Sequence, residues 1–239
     1  MDNTVEFKVH GRAALFTDPL TKIGGEKCSY HIPTYEALKG LLSSVYWKPT
    51  FVWIIDAVRV MKPIRTQTKG MKPIKYYGGG NDLSIYTYLA DVEYHVRAHF
   101  EWNLYRADME KDRNDMKHWI VAKRMIERGG RRDIFLGTRE CQGYVESCSF
   151  GEGKGFYDEA GEIAYGLMFH GFDYPDELGK NELYARFWNP KMTDGVVNFI
   201  RPEACTVRKI VKKMKGQPPA SSGLEEEGLQ TILSMEGPR

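Results

Sequence analysis

The sequence has no long apolar run and no recognisable leader. Within its 239 residues, no segment approaches the roughly 18 to 20 consecutive apolar residues of a membrane span. Acidic and basic residues are scattered between Met1 and Leu20, which does not fit a secretory signal peptide. We therefore expect no membrane partner and a cytoplasmic location.

Cysteine is scarce, and its spacing does not fit a metal or redox site. The chain has four cysteines: Cys28, Cys141, Cys148 and Cys205. They lack the CxxC pairs that mark zinc and dithiol centres, so buried free thiols are expected.

Motifs for nucleotide hydrolysis and two-metal chemistry are also missing. The run Gly78-Gly79-Gly80 lacks the GK[ST] that completes a phosphate-binding loop. We find no DxD or carboxylate cluster suited to two divalent ions. A metal-dependent DNA nuclease is thus the least favoured function, and no cofactor is predicted.

Positive charge is present but concentrated. Hydrophobic residues make up 42% and aromatics 13%, enough for a core, and the net charge is only +2. No acidic residue occurs from Ala57 to Asn81. That stretch is a basic arm whose cations are Arg59, Lys62, Arg65, Lys69, Lys72 and Lys75. Two further clusters comprise Lys123, Arg124, Arg128, Arg131 and Arg132, and Arg208, Lys209, Lys212, Lys213 and Lys215. Basic stripes of this kind are typical of nucleic-acid binding.

Hydrophobic periodicity predicts the element order β, α, β, β, α, β. Alternation indicates strands at Val5 to Val9 and Val92 to Trp102, and β-branched and aromatic residues indicate one at Phe51 to Val60. Spacings of three and four predict a helix capped by Thr34 and a second that begins near Asn114 or Asp115 and ends at Gly129-Gly130. Tyr144 to Phe150 would supply the last strand.

This order predicts an α+β fold with a ferredoxin-like, RNA-recognition-motif-like domain at residues 1–150. The basic arm would be inserted at about 62–90. A small antiparallel β domain is expected at 151–216, from short β-like runs at Ile163 to Phe169, Leu183 to Trp188 and Val196 to Ile200. Residues 217–239, rich in Pro, Ser, Gly and Glu, are expected to form a disordered tail.

Two side chains of the second predicted helix fit RNA cleavage chemistry. A ribose 2′-hydroxyl can attack the adjacent phosphodiester, so an enzyme needs only proton-transfer groups and a cation. Lys117 and His118 fall in the first turn of the second helix, where backbone N–H groups favour anions. Pattern alone favours a solvated helix face there, and it indicates a core-edge aromatic at Tyr46. His95 and His99, four apart on a strand, could bind metal or stack on bases and stay unassigned.

Four stretches together resemble the CRISPR-associated Cas5 family, type I-C (Dvulg) subtype, of the RAMP superfamily. They are Val5 to Pro19 (VEFKVHGRAALFTDP), Pro33 to Phe51 (PTYEALKGLLSSVYWKPTF), Asn114 to His118 (NDMKH) and Arg131 to Cys141 (RRDIFLGTREC). They occur in the order that the family shows, and the resemblance covers most of the chain.

The resemblance implies a metal-independent endoribonuclease that cleaves stem-loop repeats of precursor CRISPR RNA. It implies that the protein stays with the mature guide RNA and other subunits of the type I-C surveillance complex. The family pattern selects Tyr46, Lys117 and His118 as the catalytic set. His118 would be the general base or acid, Lys117 would stabilise the phosphorane, and Tyr46 would donate a proton or orient the ribose.

We expect the RNA to contact the cations of the arm and of the second helix. These residues are Arg59, Lys62, Arg65, Lys69, Lys72, Lys75, Arg124, Arg128, Arg131 and Arg132. The alternative function is a non-catalytic subunit that binds and caps the guide RNA, as in relatives outside this subtype.

Overall fold

The chain folds as a mixed α/β structure whose strands pair mostly antiparallel. The computed structural model describes residues 3–23, 25–75 and 77–215. The predicted tail at 217–239 lies outside these residues. No helix in the described ranges has the length and hydrophobicity needed to cross a bilayer.

Twelve strands, four α-helices and two 3₁₀ helices occur in the described ranges. In chain order they are β1 (Val5–Ala14), α1 (Pro19–Lys22), α2 (Tyr35–Val45), β2 (Phe51–Val60), β3 (Thr66–Met71), β4 (Ser84–Trp102), a 3₁₀ helix (Ala107–Asp112), α3 (Asp115–Glu127), β5 (Ile134–Phe135), β6 (Gln142–Ser147), β7 (Glu162–Ala164), β8 (Met168–Asp173), α4 (Pro175–Leu178), β9 (Glu182–Trp188), β10 (Lys191–Thr193), β11 (Val196–Asn198), a second 3₁₀ helix (Pro202–Ala204) and β12 (Val207–Lys213).

The strands form two sheets. The larger has nine strands in the order β5-β6-β1-β4-β2-β11-β10-β7, with β3 paired to β4. The smaller has the order β12-β9-β8. Helices α2 and α3 pack on the larger sheet, α2 against β2 and α3 against β1 and β6. The core between them includes Phe7, Leu42, Trp53 and Val96.

The periodic elements are confirmed. Strand β2 begins and ends at the predicted residues, and its side chains are mostly buried on both faces. Helix α2 is capped by Thr34, whose side chain accepts a hydrogen bond from the Ala37 N–H at 3.1 Å. Helix α3 is capped by Asn114, whose side chain accepts from the Lys117 N–H at 3.0 Å. Local capping chemistry thus sets both helix starts.

Strand β4 is longer than its alternation predicts. The regular pattern begins at Val92, but the strand starts at Ser84. Asp91 adopts a left-handed φ of 51°, a conformation that Asp tolerates better than most residues. The irregular residue interrupts the alternation. The extra length pairs with β3, so the basic arm is a hairpin extension of the sheet.

Strands from both sides of residue 150 share the larger sheet. Val196, Val197 and Asn198 of β11 pair with Arg59, Val58 and Ala57 of β2. The predicted run Ile163 to Phe169 is divided between β7, in the larger sheet, and β8, in the smaller one. The larger sheet therefore joins the two segments. The domain boundary at 150 stays a prediction.

The four cysteines all lie in the ranges that the structure describes, and none of them forms a disulfide. All four are free thiols, as expected, and Cys141 and Cys205 are buried. Cys28 and Cys148 are only half-buried. The prediction of buried thiols is therefore confirmed for two of the four cysteines.

Candidate active site at the meeting of two helix ends

The C-terminal end of α2 lies beside the first turn of α3. Tyr46 is the first residue past α2, in extended conformation, and its N–H still donates to the Leu42 carbonyl at 2.8 Å. The Asn114 cap starts α3 so that Lys117 and His118 lie in its first turn. The two ends thus bring together the three side chains of the predicted catalytic set.

A hydrogen bond joins Tyr46 and His118. The Tyr46 hydroxyl lies 2.7 Å from His118 Nδ1, and His118 Nε2 lies 2.8 Å from the Asp112 carbonyl oxygen. A carbonyl oxygen only accepts, so Nε2 carries a proton. In a neutral ring Nδ1 then accepts, and the Tyr46 hydroxyl donates to it. Both ring nitrogens are therefore occupied.

The imidazole is enclosed. His118 is 0% exposed and Tyr46 is 5% exposed. The ring centroids of Phe51, Phe100 and Trp102 lie 5.3, 6.2 and 5.7 Å from that of His118. A ligand can approach His118 only through its hydrogen-bonded neighbours unless the chain moves.

Asp112 connects Lys117 to His118. Its carboxylate pairs with the Lys117 ammonium and accepts a hydrogen bond from Thr50 Oγ1 at 2.8 Å. The carboxylate oxygen that accepts from Thr50 also lies 3.4 Å from His118 Nε2. The hydrogen bonds from Lys117 and then Thr50 lower the pKa of the Asp112 carboxyl. The Lys117 side chain itself is 54% exposed.

Sequence reasoning missed Asp112. It lies in a mixed run of acids and bases, Glu110 to Arg113, without a distinctive spacing. The available signal was its position two residues before the Asn114 cap, which places it next to the first turn of α3. That position predicts proximity to Lys117 and His118, but it does not predict the contact with Thr50.

Arg131 adds a cation beside Tyr46. The Arg131 and Arg132 N–H groups donate to the carbonyls of Val45 and Ser44 at 3.3 and 3.1 Å, satisfying acceptors that the end of α2 leaves open. Burial and the Asp112 charge raise the pKa of the Tyr46 hydroxyl, while the Arg131 charge lowers it. Both arginines are exposed, and so are Arg124 and Arg128 on α3.

The hairpin arm lies far from this cluster along β4. Lys69 pairs in register with Tyr86, whereas Phe100 and Trp102 contact His118. Fourteen residues of strand separate the two ends, up to about 45 Å if fully extended. The arm cations Arg65, Lys69, Lys72 and Lys75 are exposed.

Two predicted RNA contacts are engaged within the protein. Arg59 is 6% exposed and pairs with Asp158 at 2.7 Å, and it donates to the carbonyls of Glu152 and Gly153. Lys62 pairs with Asp91 at 2.8 Å. These contacts favour a structural role for Arg59. At Lys62, the Asp91 carboxylate would compete with an RNA phosphate for the ammonium group.

The unassigned histidines, His95 and His99, lie on β4. His99 Nδ1 lies 2.9 Å from an Asp56 carboxylate oxygen, and His95 is buried with Nδ1 unbonded. Over the described ranges, no group of three or more His, Cys, Asp or Glu residues is arranged to hold a metal ion.

Residues 4–200 match the sequence model of the CRISPR-associated protein family Cas5. The chain belongs to the Cas5 family. The resemblance drawn from the four sequence stretches is thereby confirmed.

Curated relatives of the Cas5 chain carry an activity in their names. This chain is 40% identical over 68 residues to the CRISPR pre-crRNA endoribonuclease Cas5d of Mannheimia succiniciproducens. That match covers 28% of this chain and only 29% of the Mannheimia protein. The chain is 26% identical over 190 residues to the protein of the same name from Thermus thermophilus, covering 75% of this chain and 77% of the relative.

A solved structure shares the Cas5 chain's fold. A functionally uncharacterized protein from Streptococcus mutans superposes with a TM-score of 0.72 at 37% identity, over 86% of this chain and 96% of that one. The mixed α/β architecture described above is therefore found in an experimentally solved relative.

Proposed function

We propose that this Cas5 protein is an endoribonuclease that cleaves the stem-loop repeats of precursor CRISPR RNA by attack of a ribose 2′-hydroxyl, without a catalytic metal. The observation that carries the proposal is the hydrogen-bonded cluster of Tyr46, His118, Asp112 and Lys117 where α2 and α3 meet. The names of the Mannheimia and Thermus relatives agree with this activity.

The cluster supplies the groups that the reaction needs. The 2′-oxygen bonds to the adjacent phosphorus while the bond from phosphorus to the 5′-oxygen breaks, leaving a 2′,3′-cyclic phosphate. The 2′-hydroxyl proton passes to the Tyr46 oxygen as the phenol proton moves to His118 Nδ1. The departing 5′-oxygen takes a proton from water. His118 thus acts through Tyr46, in keeping with its complete burial.

The two charged neighbours have separate roles. Lys117, which is half exposed, stabilises the negative charge on the phosphorane as a compact cation. Asp112 compensates the positive charge that His118 gains, and its carbonyl keeps the proton on Nε2. An RNA phosphate competes with the Asp112 carboxylate for Lys117, so the ion pair opens when substrate binds.

We further propose that the sequence-predicted cations bind the RNA backbone. Arg131, whose charge acts on Tyr46, would hold the strand beside the scissile linkage together with Arg132, Arg128 and Arg124. The exposed arm cations would hold more distant phosphates, and Arg59 and Lys62 would contribute least. Charge reversal at Lys69, Lys72 and Lys75 should weaken binding and its salt dependence before it affects the chemical step.

The fold is proposed to be ferredoxin-like over residues 1–150. The elements β1, α2, β2, β4, α3 and β6 follow the βαββαβ order, and the strands lie in the sheet as β6-β1-β4-β2. This arrangement supports the assignment. We also propose a cytoplasmic location and assembly with the other subunits of a type I-C surveillance complex.

The full burial of His118 favours a second candidate, a subunit that binds and caps guide RNA without cutting it. Incubation with end-labelled repeat RNA in excess EDTA separates the candidates. A discrete cut in EDTA supports the endoribonuclease. Tight binding without a cut supports the capping subunit, and a cut that appears only with added Mg²⁺ supports a metal-dependent nuclease.

A further inference from the structure

Thr50 is a buried hydroxyl residue at the start of β2. It is 0% exposed and directly precedes Phe51, the first residue of that strand. Its carbonyl oxygen accepts a hydrogen bond from the Asn103 N–H at 2.9 Å, and the branched side chain has few rotamers. Because its backbone is tied to the residue that follows β4, the Thr50 hydroxyl reaches the catalytic cluster from a fixed point.

The hydroxyl binds the carboxylate of Asp112. Thr50 Oγ1 donates to Asp112 Oδ2 at 2.8 Å. The other carboxylate oxygen, Oδ1, pairs with the Lys117 ammonium. The backbone carbonyl of Asp112 accepts from His118 Nε2 at 2.8 Å. Each of the three acceptor oxygens of Asp112 therefore has a different donor.

The carboxylate oxygen that Thr50 holds also faces the imidazole. Asp112 Oδ2 lies 3.4 Å from His118 Nε2, and an ordinary hydrogen bond would require the two atoms to approach by about 0.5 Å. The bond from Thr50 opposes that movement. The hydrogen bonds from Lys117 and then Thr50 lower the pKa of the Asp112 carboxyl, so an anionic oxygen is available to bind either Thr50 or His118.

A direct bond between the carboxylate and the imidazole would impair the proposed relay. A carboxylate in contact with an imidazole stabilises the protonated ring, whereas His118 has to be neutral to accept the phenol proton of Tyr46. The competition is strongest when RNA binds. A phosphate that takes Lys117 removes the cation from Asp112 and leaves the Thr50 hydroxyl to hold the carboxylate.

Charged and titratable neighbours of His118 come from several elements. They are Tyr46 at the end of α2, Asp112 in the 3₁₀ helix, Lys117 on α3 itself and Arg131, whose charge acts on Tyr46. The contacts from β2 and β4 are uncharged rings. Burial raises the pKa of the Tyr46 hydroxyl, so Asp112 is the anion of this set at neutral pH. A pH response to a change at Thr50 should therefore pass through Asp112.

We infer that Thr50 is a positioning residue, which holds the Asp112 carboxylate away from His118 Nε2 so that the imidazole stays neutral until the Tyr46 proton arrives. The inference rests on the proposed function for the reaction. It goes beyond that function by giving a role to a side chain that is remote from the reacting atoms. It also predicts a shift along the pH axis, which a purely structural role would not cause.

The test measures single-turnover cleavage of repeat RNA in EDTA from about pH 5 to about pH 9, which spans the ordinary imidazole titration. Thr50→Val keeps the branched shape and removes the hydroxyl, and Thr50→Ser restores it as the matched control. In Thr50→Val the rising limb of the rate profile should move to higher pH by about one unit. The rate then falls about tenfold at the acid end and stays within about twofold on the alkaline plateau. Thr50→Ser should return the profile to its parental position.

The Asp112→Asn background shows whether the effect passes through the carboxylate. Asparagine carries no negative charge, so adding Thr50→Val to Asp112→Asn should leave the midpoint of the rate profile where Asp112→Asn alone puts it. An equal loss of rate at every pH in Thr50→Val would overturn the inference. A midpoint shift that persists in the double variant would overturn it as well.

A second readout does not require cleavage. In protein labelled with ¹⁵N in its histidine rings, the nitrogen shifts report the protonation state of each imidazole, and the His118 signals are those missing from His118→Gln. The ring should titrate at higher pH in Thr50→Val than in the parental protein, by about one unit. If the parental protein does not cut RNA but this titration moves, the proposed function fails and the positioning role stands. An unmoved titration overturns the role of Thr50.

Discussion

Removing one oxygen atom tests the proposed relay. Tyr46→Phe deletes the hydroxyl that lies 2.7 Å from His118 Nδ1 and leaves a buried acceptor without a donor. That loss should lower the free energy of unfolding by about 1–3 kcal/mol, a fall in melting temperature of roughly 2–4 °C per kcal/mol for a chain of this size. Loss of the proton path should reduce the cleavage rate by about 10²- to 10⁴-fold.

The companion variant is His118→Gln. The glutamine amide can still donate to the Asp112 carbonyl, but it cannot take up a proton. Because the account makes Tyr46 and His118 one pathway, the double variant should be no slower than the slower single variant, within about threefold. Independent groups would instead multiply their losses.

The assay is single-turnover cleavage of repeat RNA in EDTA, with saturating protein so that binding does not limit the rate. Urea unfolding of each variant shows whether the rate changes reflect loss of folded protein. A multiplicative loss in the double variant, with all variants folded, would refute the shared relay.

Three further predictions concern charge. Lys117→Met should reduce the single-turnover rate by about 10²- to 10³-fold with little change in stability, since the side chain is half exposed, and an unchanged rate would remove Lys117 from the reaction. Asp158→Asn removes the carboxylate that pairs with the buried Arg59 and should lower the free energy of unfolding in urea melts without altering the salt dependence of RNA binding; the reverse pattern would make Arg59 an RNA contact. Burial lowers the pKa of His170 to about 4, so its stabilisation is present above the unfolded pKa of about 6.5 and is lost, by up to about 3 kcal/mol, as pH falls from 6.5 to 4. The His170→Gln protein should lose less stability over that interval, and an equal loss would contradict the assignment.

Local patterns predicted the elements that position the site. Thr34 and Asn114 are caps that act on their own helices, so their effect can be deduced from neighbouring residues. The alternation in β1 and the β-branched run in β2 follow from burial of one or both faces. These elements fixed where Tyr46, Lys117 and His118 would lie along the helices, and the family resemblance identified them as a set.

Contacts between distant segments were not predictable in this way. Arg59 looked like part of a basic arm, but Asp158, a residue 99 positions away, binds it. Strand β11 pairs with β2 although the sequence between them gives no register signal. Irregularities also concealed features: the shift between Phe169 and Gly171 breaks the period-two pattern, so the shared outward face of Phe169 and Phe172 is visible only in the folded chain.

The central claim is that the RNA supplies its own nucleophile at the Tyr46, His118 and Lys117 cluster. The most direct measurement uses repeat RNA that carries a single 2′-deoxyribose immediately 5′ of the cleaved linkage, incubated with the protein under single-turnover conditions. The account predicts that cleavage at that linkage disappears while binding is unchanged, and that unmodified RNA yields a 2′,3′-cyclic phosphate. Cleavage of the deoxy-substituted linkage at the normal rate would contradict it.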